Sequence, residues 1–237
     1  ENRRRTSGGE CALPTSLTCF ETQPHLWLLG LAAVVGAAGC YAATHLYATS
    51  RRARGSQAVL SMALVGAVFG ASVWAAHFIA LAAFDPGLPV EYDPVVTLLS
   101  LVIGFAGGAT GFGFAARERG VQGWIGGGAI IGLGMTVMHY VGMLAMRTAG
   151  HIEWNFDLIA VSVIIGGAFP QMALCVPKGG RQVWRTRAPA LLLPSGILGL
   201  HFTAMAAATL WPDPDVAIPT SAFSLLLVTV SVGGVAS

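Results

Sequence analysis

The sequence predicts an all-α membrane protein with seven transmembrane helices. Only 10% of its 237 residues are charged, and its mean hydropathy is +0.68. A soluble domain usually carries about 25% charged residues. Because one spanning helix takes about 20 apolar residues, a chain of this length accommodates seven spans with short connections. We therefore expect most of the chain to lie in a lipid bilayer.

The predicted spans divide the chain into a tail and a membrane domain. The spans are expected at about residues 25–49, 57–84, 95–116, 124–146, 158–176, 190–210 and 219–237. Residues 1–23 form a polar tail without the apolar core of a signal peptide, and residues 24–237 form the membrane domain. Because the first residue is Glu1 and not Met, we expect a processed chain or a piece of a longer one.

The charges of the connections predict which side of the membrane each one faces. Lys and Arg are in excess in cytoplasmic loops. Basic connections alternate along the chain with acidic or nearly neutral ones; the basic ones are 51–54, 117–119 and 178–187, and the others are 85–94, 147–157 and 211–215. The N-terminus is therefore predicted outside and the C-terminus inside. An external tail permits, without requiring, a disulfide between Cys11 and Cys19.

Three histidines recur at equal intervals within the predicted spans. His77, His139 and His201 are 62 residues apart and lie on the second, fourth and sixth spans. An ionisable ring at membrane depth is costly to bury, which makes each a functional candidate. Equal spacing indicates an internal repeat. Three two-helix repeats plus one extra helix would bring the rings to one depth in the outer half of the membrane, about 10–15 Å from the outer helix ends.

Methionines accompany two of these histidines at helical spacing. Met143 follows His139 by four residues and Met205 follows His201 by four, so each thioether can share a face with its imidazole. Met138 is adjacent to His139 and turned by about 100° from it, which makes it a weaker ligand candidate. Imidazole with thioether favours copper, especially Cu(I), and zinc is the alternative.

Other interpretations of these residues stay open. A single buried histidine often only bonds to a neighbouring helix, and methionine in an apolar helix usually fills the core. The first repeat has Leu81 where the others have methionine, which argues against a site that takes a methionine from every copy. Paired histidines could alternatively ligate haem in a redox enzyme. A metal-ion transporter is the third possibility, although only scattered Ser and Thr with His45 offer a polar path inward.

The three histidine motifs resemble those of a known bacterial family. The second copy reads Met-His-Tyr-Val at residues 138–141, and the third reads Leu-His-Phe-Thr-Ala-Met at residues 200–205. The first is Ala-His-Phe-Ile-Ala-Leu at residues 76–81. The pattern is similar to the MHYT domain, an integral-membrane module named for Met-His-Tyr-Thr, and the resemblance covers about residues 26–235.

This resemblance implies a sensor of the bacterial cytoplasmic membrane. MHYT domains are proposed to bind copper and to respond to oxygen, carbon monoxide or nitric oxide. The ligands that the resemblance implies are His77, His139, His201, Met138, Met143 and Met205. Many family members continue into cytoplasmic cyclic di-GMP domains, so we expect an output domain or a separate partner protein. We expect no nucleic-acid partner at a net charge of +2, and no enzymatic activity of the chain as given.

Overall fold

Six long helices form the body of the part of the molecule that the structure describes. A computed structural model describes residues 26–51, 53–84, 90–118, 120–175, 182–213 and 223–224, with backbone only at 182–186 and 223–224. The helices are α1 (Leu26–Ser50), α2 (Ser56–Ala82), α3 (Pro94–Arg117), α4 (Val121–Leu144), α5 (Phe156–Leu174) and α6 (Gln182–Ala206). Each contains a stretch long and apolar enough to cross a membrane, which in α6 begins at Arg187. The protein is thus a multi-pass membrane protein, as its composition predicts.

The six helices form a closed ring of neighbours. Each helix packs against the next one along the chain, and α6 returns to pack against α1. The α1–α6 contact is the least extensive of these neighbouring pairs. In addition, α4 contacts both α2 and α6, and the even-numbered helices are more buried than the odd-numbered ones. Therefore α2, α4 and α6 share the centre of the bundle.

The 62-residue repeat extends from the histidines to the packing of the helices. Gly70 of α2 meets Gly104 of α3, and 62 residues later Gly132 of α4 meets Gly166 of α5. A side chain at Gly70 or Gly132 would overlap the backbone of the neighbouring helix. Small residues allow transmembrane helices to approach this closely. The second and third spans thus pack as the fourth and fifth do, which supports the predicted internal repeat.

Two small antiparallel sheets lie at one end of the described part of the bundle, mostly where the sequence predicts connections between spans. The strands are β1 (Val90–Tyr92), β2 (Met146–Thr148), β3 (Gly150–Trp154), β4 (Ala208–Pro212) and β5 (Phe223–Ser224). One sheet has the order β2-β1-β5, and the other pairs β3 with β4. The helix ends bring these connections side by side, and their backbone N–H and C=O groups need partners. Strand pairing supplies these partners.

Three of the predicted spans are corrected at a limit. Helix α4 ends at Leu144 rather than at 146, because Met146 begins β2. Phe223 and Ser224 pair with β1 as β5, so a helix that starts at residue 219 is wrong at these two positions. Residues 225–237 lie outside the described part of the chain, as do the tail and its two cysteines. Helix α6 ends at Ala206 rather than at 210, because residues 208–212 form β4. The seventh span and the predicted orientation therefore stay predictions.

Candidate metal centre

Each helix at the centre of the bundle carries one of the predicted histidines near the end that faces the sheets. His77 stands five residues before the end of α2, and His139 and His201 occupy the same place in α4 and α6. Five residues of helix rise about 7.5 Å. The three rings therefore share one level, and they lie closer to the helix ends than the sequence predicts.

The three imidazoles meet in the middle of the bundle. Nδ1 of His77 lies 3.1 Å from Nδ1 of His139 and 3.3 Å from Nδ1 of His201. The ring centroids are 4.7 to 5.4 Å apart, and the rings meet edge to face. Within the described residues they form the one group of three or more His, Cys, Asp or Glu side chains that could hold a metal ion, with ligand atoms within 4.8 Å of one another. We call this group the histidine triad.

The histidine triad is buried and its hydrogen bonding is incomplete. The exposed fractions of His77, His139 and His201 are 3%, 1% and 6%. Nε2 of His77 and Nε2 of His139 find no hydrogen-bond partner among the described residues. A neutral imidazole carries one N–H and one acceptor nitrogen. Whichever Nδ1 donates between these two rings, one Nε2 then keeps a buried N–H without an acceptor, a pattern that calls for a ligand or an ion as its explanation.

The donors and their spacing fit a metal ion. Metal–nitrogen bonds of 2.0–2.1 Å in a tetrahedral site place two ligand nitrogens about 3.4 Å apart. The Nδ1 separations of 3.1 and 3.3 Å are close to this value. Haem fits poorly, because the three rings already contact one another and the adjoining cavity measures only about 20 Å³. The geometry therefore favours a single ion over a macrocycle.

The three methionines implied as ligands occupy different places around the histidine triad. Met138 lines the cavity that the histidines also line, and its Cγ lies against Gly104 of α3. Met143 is fully buried in the hydrophobic core, and Met205 is half-buried at its edge. Neither Met143 nor Met205 lines this cavity. Of the three methionines, only Met138 lines the cavity, although its helical spacing predicts the weakest ligand candidate.

Gly142 makes room for the histidine triad, and the histidine motifs do not single it out. A Cβ on Gly142 would lie 2.5 Å from Nε2 of His77. The same repeat position holds Ala80 in α2 and Ala204 in α6, so it is small in all three copies. That shared small size, three residues after each histidine, is the signal from which Gly142 could have been found. Its role is to admit the His77 ring.

Aromatic rings separate the histidine triad from the sheets. The residue after each histidine is aromatic, and its ring meets the histidine edge to face with centroids 4.9 to 5.4 Å apart; these residues are Phe78, Tyr140 and Phe202. On the sheet side, Tyr92 packs on Phe78, and Trp154, 62 residues further along, packs on Tyr140. Burial raises the pKa of the Tyr92 phenol. The aromatic layer therefore repeats with the histidines.

The helices that follow the sheets begin at equivalent caps. Oδ1 of Asp93 accepts the backbone N–H groups of Val95 and Val96, and Oδ1 of Asn155 does the same for α5. Arg147 on β2 donates to Oδ2 of Asp93 at 3.2 Å. The backbone N–H of Val96 and the Arg147 side chain hold the pKa of Asp93 below its usual range. The two capping residues are 62 residues apart, and they fix the starts of α3 and α5 in the same way.

Comparison with known families agrees with the histidine repeat. The MHYT family model, described as a bacterial signalling protein N terminal repeat, matches residues 70–128 and 132–190. The two matched segments start 62 residues apart, the same interval as the histidines. The first contains His77 and the second contains His139.

Three curated relatives carry signalling names. The chain is 39% identical over 221 residues to an uncharacterized signaling protein of Caulobacter vibrioides, a match that covers 93% of the chain and 27% of that protein. It is 38% identical over 148 residues to the cyclic di-GMP phosphodiesterase NbdA of Pseudomonas aeruginosa, over 60% of the chain and 19% of the relative. With the bifunctional diguanylate cyclase/cyclic di-GMP phosphodiesterase MucR of the same organism, identity is 31% over 188 residues, 76% of the chain and 27% of the relative.

These matches cover only a part of each relative. It spans between 19% and 27% of the length of these three relatives. No solved structure matches the chain. The two family matches, the six apolar helices and the repeated histidine motifs lead to one assignment. The chain belongs to the MHYT family of bacterial membrane signalling domains.

Proposed function

We propose that the chain is the metal-binding sensory domain of a bacterial signalling protein. The observation that carries this proposal is the meeting of three buried imidazoles, one from each central helix, with ligand atoms within 4.8 Å of one another. Buried ionisable side chains in membrane helices are expensive and usually functional. Because three of them meet at one level, we propose that they bind one metal ion together. The proposed ligands are His77, His139 and His201.

Copper is the first choice of metal and zinc the second. The triad contains no carboxylate, which disfavours Mg²⁺, Ca²⁺ and Mn²⁺. Met138 lines the same cavity and offers a thioether beside the imidazoles, and this soft donor favours copper. Met143 and Met205 are proposed as supplementary ligands only because the family resemblance implies them. Copper bound here would supply a redox-active centre able to take a small ligand.

The placement of the histidines suits a device that reports a change at the metal. Each imidazole belongs to a different central helix, so any change in how the three rings are held acts on α2, α4 and α6 together. The proposed stimulus is a diatomic gas (oxygen, carbon monoxide or nitric oxide) or a change in copper state. In the predicted orientation, with the sheets outside the bacterial inner membrane, the response would pass inward through α6 and the residues that follow it.

The relatives' names indicate the kind of output. NbdA is named as a cyclic di-GMP phosphodiesterase, and MucR as an enzyme that both makes and hydrolyses cyclic di-GMP. Because this chain matches only a part of each, the shared part is a domain that accompanies such activities. We infer that the signal reaches a cytoplasmic cyclic di-GMP domain, in the same protein or in a partner.

Metal analysis of the purified protein tests the proposal. We expect close to one equivalent of copper or zinc in the unmodified chain and less than about a tenth of that in His139→Ala, because the remaining two imidazoles no longer enclose the ion. His45→Ala and His151→Ala are matched controls, since both histidines are exposed and lie outside the triad. Equal metal content in His139→Ala and His45→Ala would overturn the proposed site.

A further inference from the structure

The residue before each histidine breaks the threefold repeat. In α4 this residue is Met138, whose Cγ lies 3.3 Å from a Cβ built on Gly104 of α3. In α6 it is Leu200, whose side chain fills the space over Gly166 of α5. In both copies a glycine on the outer helix makes room for a large side chain from the inner helix. The space beside two of the three histidines is therefore filled.

The first copy loses the large side chain. Here the inner residue is Ala76, and it faces Gly36 of α1, whose built Cβ would lie 3.5 Å from the Ala76 methyl group. The repeat equivalent of Gly104 and Gly166 is Ala42, so the contact with α1 lies at a different position of the outer helix. An alanine is too short to occupy the space that Met138 and Leu200 occupy in the other copies. A cavity lies at this position.

The cavity next to Ala76 is small and its walls are almost entirely apolar. It measures about 20 Å³ and lies between α1, α2, α4 and α6, whereas α3 and α5 contribute none of its lining. A space of about 10–15 Å³ already holds one water molecule, and a water molecule needs two to four polar partners to stay. The cavity thus has room for a molecule of one or two heavy atoms, and its walls suit an uncharged, apolar one.

The cavity reaches the histidine triad. All three histidines line it, and two of them, His77 and His139, carry a buried Nε2 without a hydrogen-bond partner in the described part of the chain. A molecule in the cavity would therefore lie against the imidazoles. On the other side the lining belongs to α1 and α6, the neighbouring pair with the least extensive contact.

We infer that the Ala76 cavity is the binding site for a small apolar ligand, which enters from the bilayer between α1 and α6. Apolar molecules concentrate in hydrocarbon rather than in water, so a route through the helix seam favours them over ions. Ala32 and Ala33 on α1 line this side of the cavity with side chains too short to close it. Ala76 is then the residue that sets the size of the ligand. The contact of this ligand with a metal rests on the proposed function, whereas the cavity itself does not.

Xenon binding to the metal-free protein tests the cavity without reference to the metal. We expect a saturable bound-xenon signal in ¹²⁹Xe NMR of the detergent-solubilised chain, weakened about tenfold or more in Ala76→Leu and in Ala76→Met. Both substitutions insert the residue of another copy opposite a glycine that is already present. Ala42→Leu on the exposed face of α1 is the matched control, and Leu200→Ala, which enlarges the lining, should strengthen binding. Undiminished xenon binding in both Ala76 variants, or none in the unmodified chain, would overturn the inference.

Carbon monoxide binding to the copper-loaded protein tests the ligand's contact with the metal. Ala76→Leu should keep the copper content. The carbon monoxide concentration needed to saturate the infrared C–O band should rise by about tenfold or more. Equal carbon monoxide affinity in Ala76→Leu and Ala42→Leu would count against the inference while the metal site stands. If the protein takes up no metal, the proposed function fails, and the xenon result still decides whether the cavity binds a small apolar molecule.

Discussion

His77 is the centre of the histidine triad. Its Nδ1 is in contact with Nδ1 of His139 on one side and of His201 on the other. Its other ring nitrogen points to the backbone of Gly142, where a side chain would collide with it. The His77 ring is therefore held from three directions, and the other two histidine rings also meet each other directly.

The substitution Gly142→Ala should displace the His77 ring. An alanine usually stabilises a helix relative to glycine, but here overpacking is expected to cost about 1–3 kcal/mol. Thermal unfolding of the detergent-solubilised protein measures the effect. Gly167→Ala on α5, where the nearest atom to an added Cβ is 3.9 Å away, is the control and should be neutral or stabilising.

A double substitution identifies the cause of this loss. In a His77→Ala background the ring is absent, so Gly142→Ala should then be harmless. If Gly142→Ala destabilises the protein by the same amount with and without His77, the close approach of the ring is not the reason, and Gly142 would have no part in positioning the triad.

At this scale the sequence reveals the histidines more clearly than their surroundings. Equal spacing and the cost of burying an imidazole predict that the three rings share a level, and the structure confirms it. Ideal helical spacing alone favours Met143 over Met138 as a metal ligand. The cavity instead depends on which neighbouring helices carry small residues, such as Gly36 opposite Ala76, and no pattern within one helix contains that information.

At the scale of elements, the caps show how two repeats use related residues. Asp93 and Asn155 accept the same two backbone hydrogen bonds at the starts of α3 and α5. Asp93 additionally pairs with Arg147, which ties the start of α3 to β2. The two positions therefore separate the effect of capping from the effect of charge within one molecule.

The ion pair of Asp93 should give the protein a pH-dependent stability. Because the folded-state pKa of Asp93 is lowered, its charge stabilises the protein above the ordinary carboxyl pKa of about 3.9, and this contribution disappears as the pH falls through the lower folded value. Asp93→Asn keeps the cap and removes the charge. We expect its melting temperature to lie slightly below that of the unmodified chain at pH 7, since the pair is partly exposed. The difference should shrink as the pH falls below about 4 and vanish below the folded-state pKa of Asp93.

Asn155→Ala serves as the control for this comparison. It removes a cap without a charge, so its destabilisation of about 1 kcal/mol should not change with pH. A difference between Asp93→Asn and the unmodified chain that is as large at pH 3 as at pH 7 would contradict the role given to the ion pair.

The helices are easier to predict from the sequence than the strands that connect them. Apolar stretches bounded by charge locate all six described helices to within several residues. The strands carry no comparable pattern, because β1 has only three residues and its pairing with β2 joins positions more than fifty residues apart. Helix packing places those segments side by side, and strand pairing gives their backbone groups partners.

At the scale of the whole molecule, the predicted orientation places the sheets and the histidine triad near the outer surface. Accessibility of single cysteines tests this, in a background without the four natural ones. A membrane-impermeant maleimide should label Glu153→Cys on β3 in intact spheroplasts, and Arg54→Cys in the α1–α2 connection only after permeabilisation. Both positions are exposed. The reverse pattern would invert the molecule and place the triad near the cytoplasm.

The threefold repeat is the organising feature of the molecule. Helix crossings, caps, aromatic layer and histidines recur at 62 residues, whereas the first copy has Ala76, beside the cavity, where the other copies have Met138 and Leu200. This cluster of imidazoles beside a small cavity supports the proposed sensor, which would hold one ion and admit one small ligand.

X-ray absorption at the copper edge tests most directly whether the histidine triad is a metal centre. Protein loaded with one equivalent of copper should show the outer-shell scattering of imidazole rings at an amplitude close to three histidines, and His139→Ala should lower that amplitude while His45→Ala leaves it unchanged. A spectrum without imidazole scattering, or the same spectrum in His139→Ala as in the unmodified protein, would contradict the assignment.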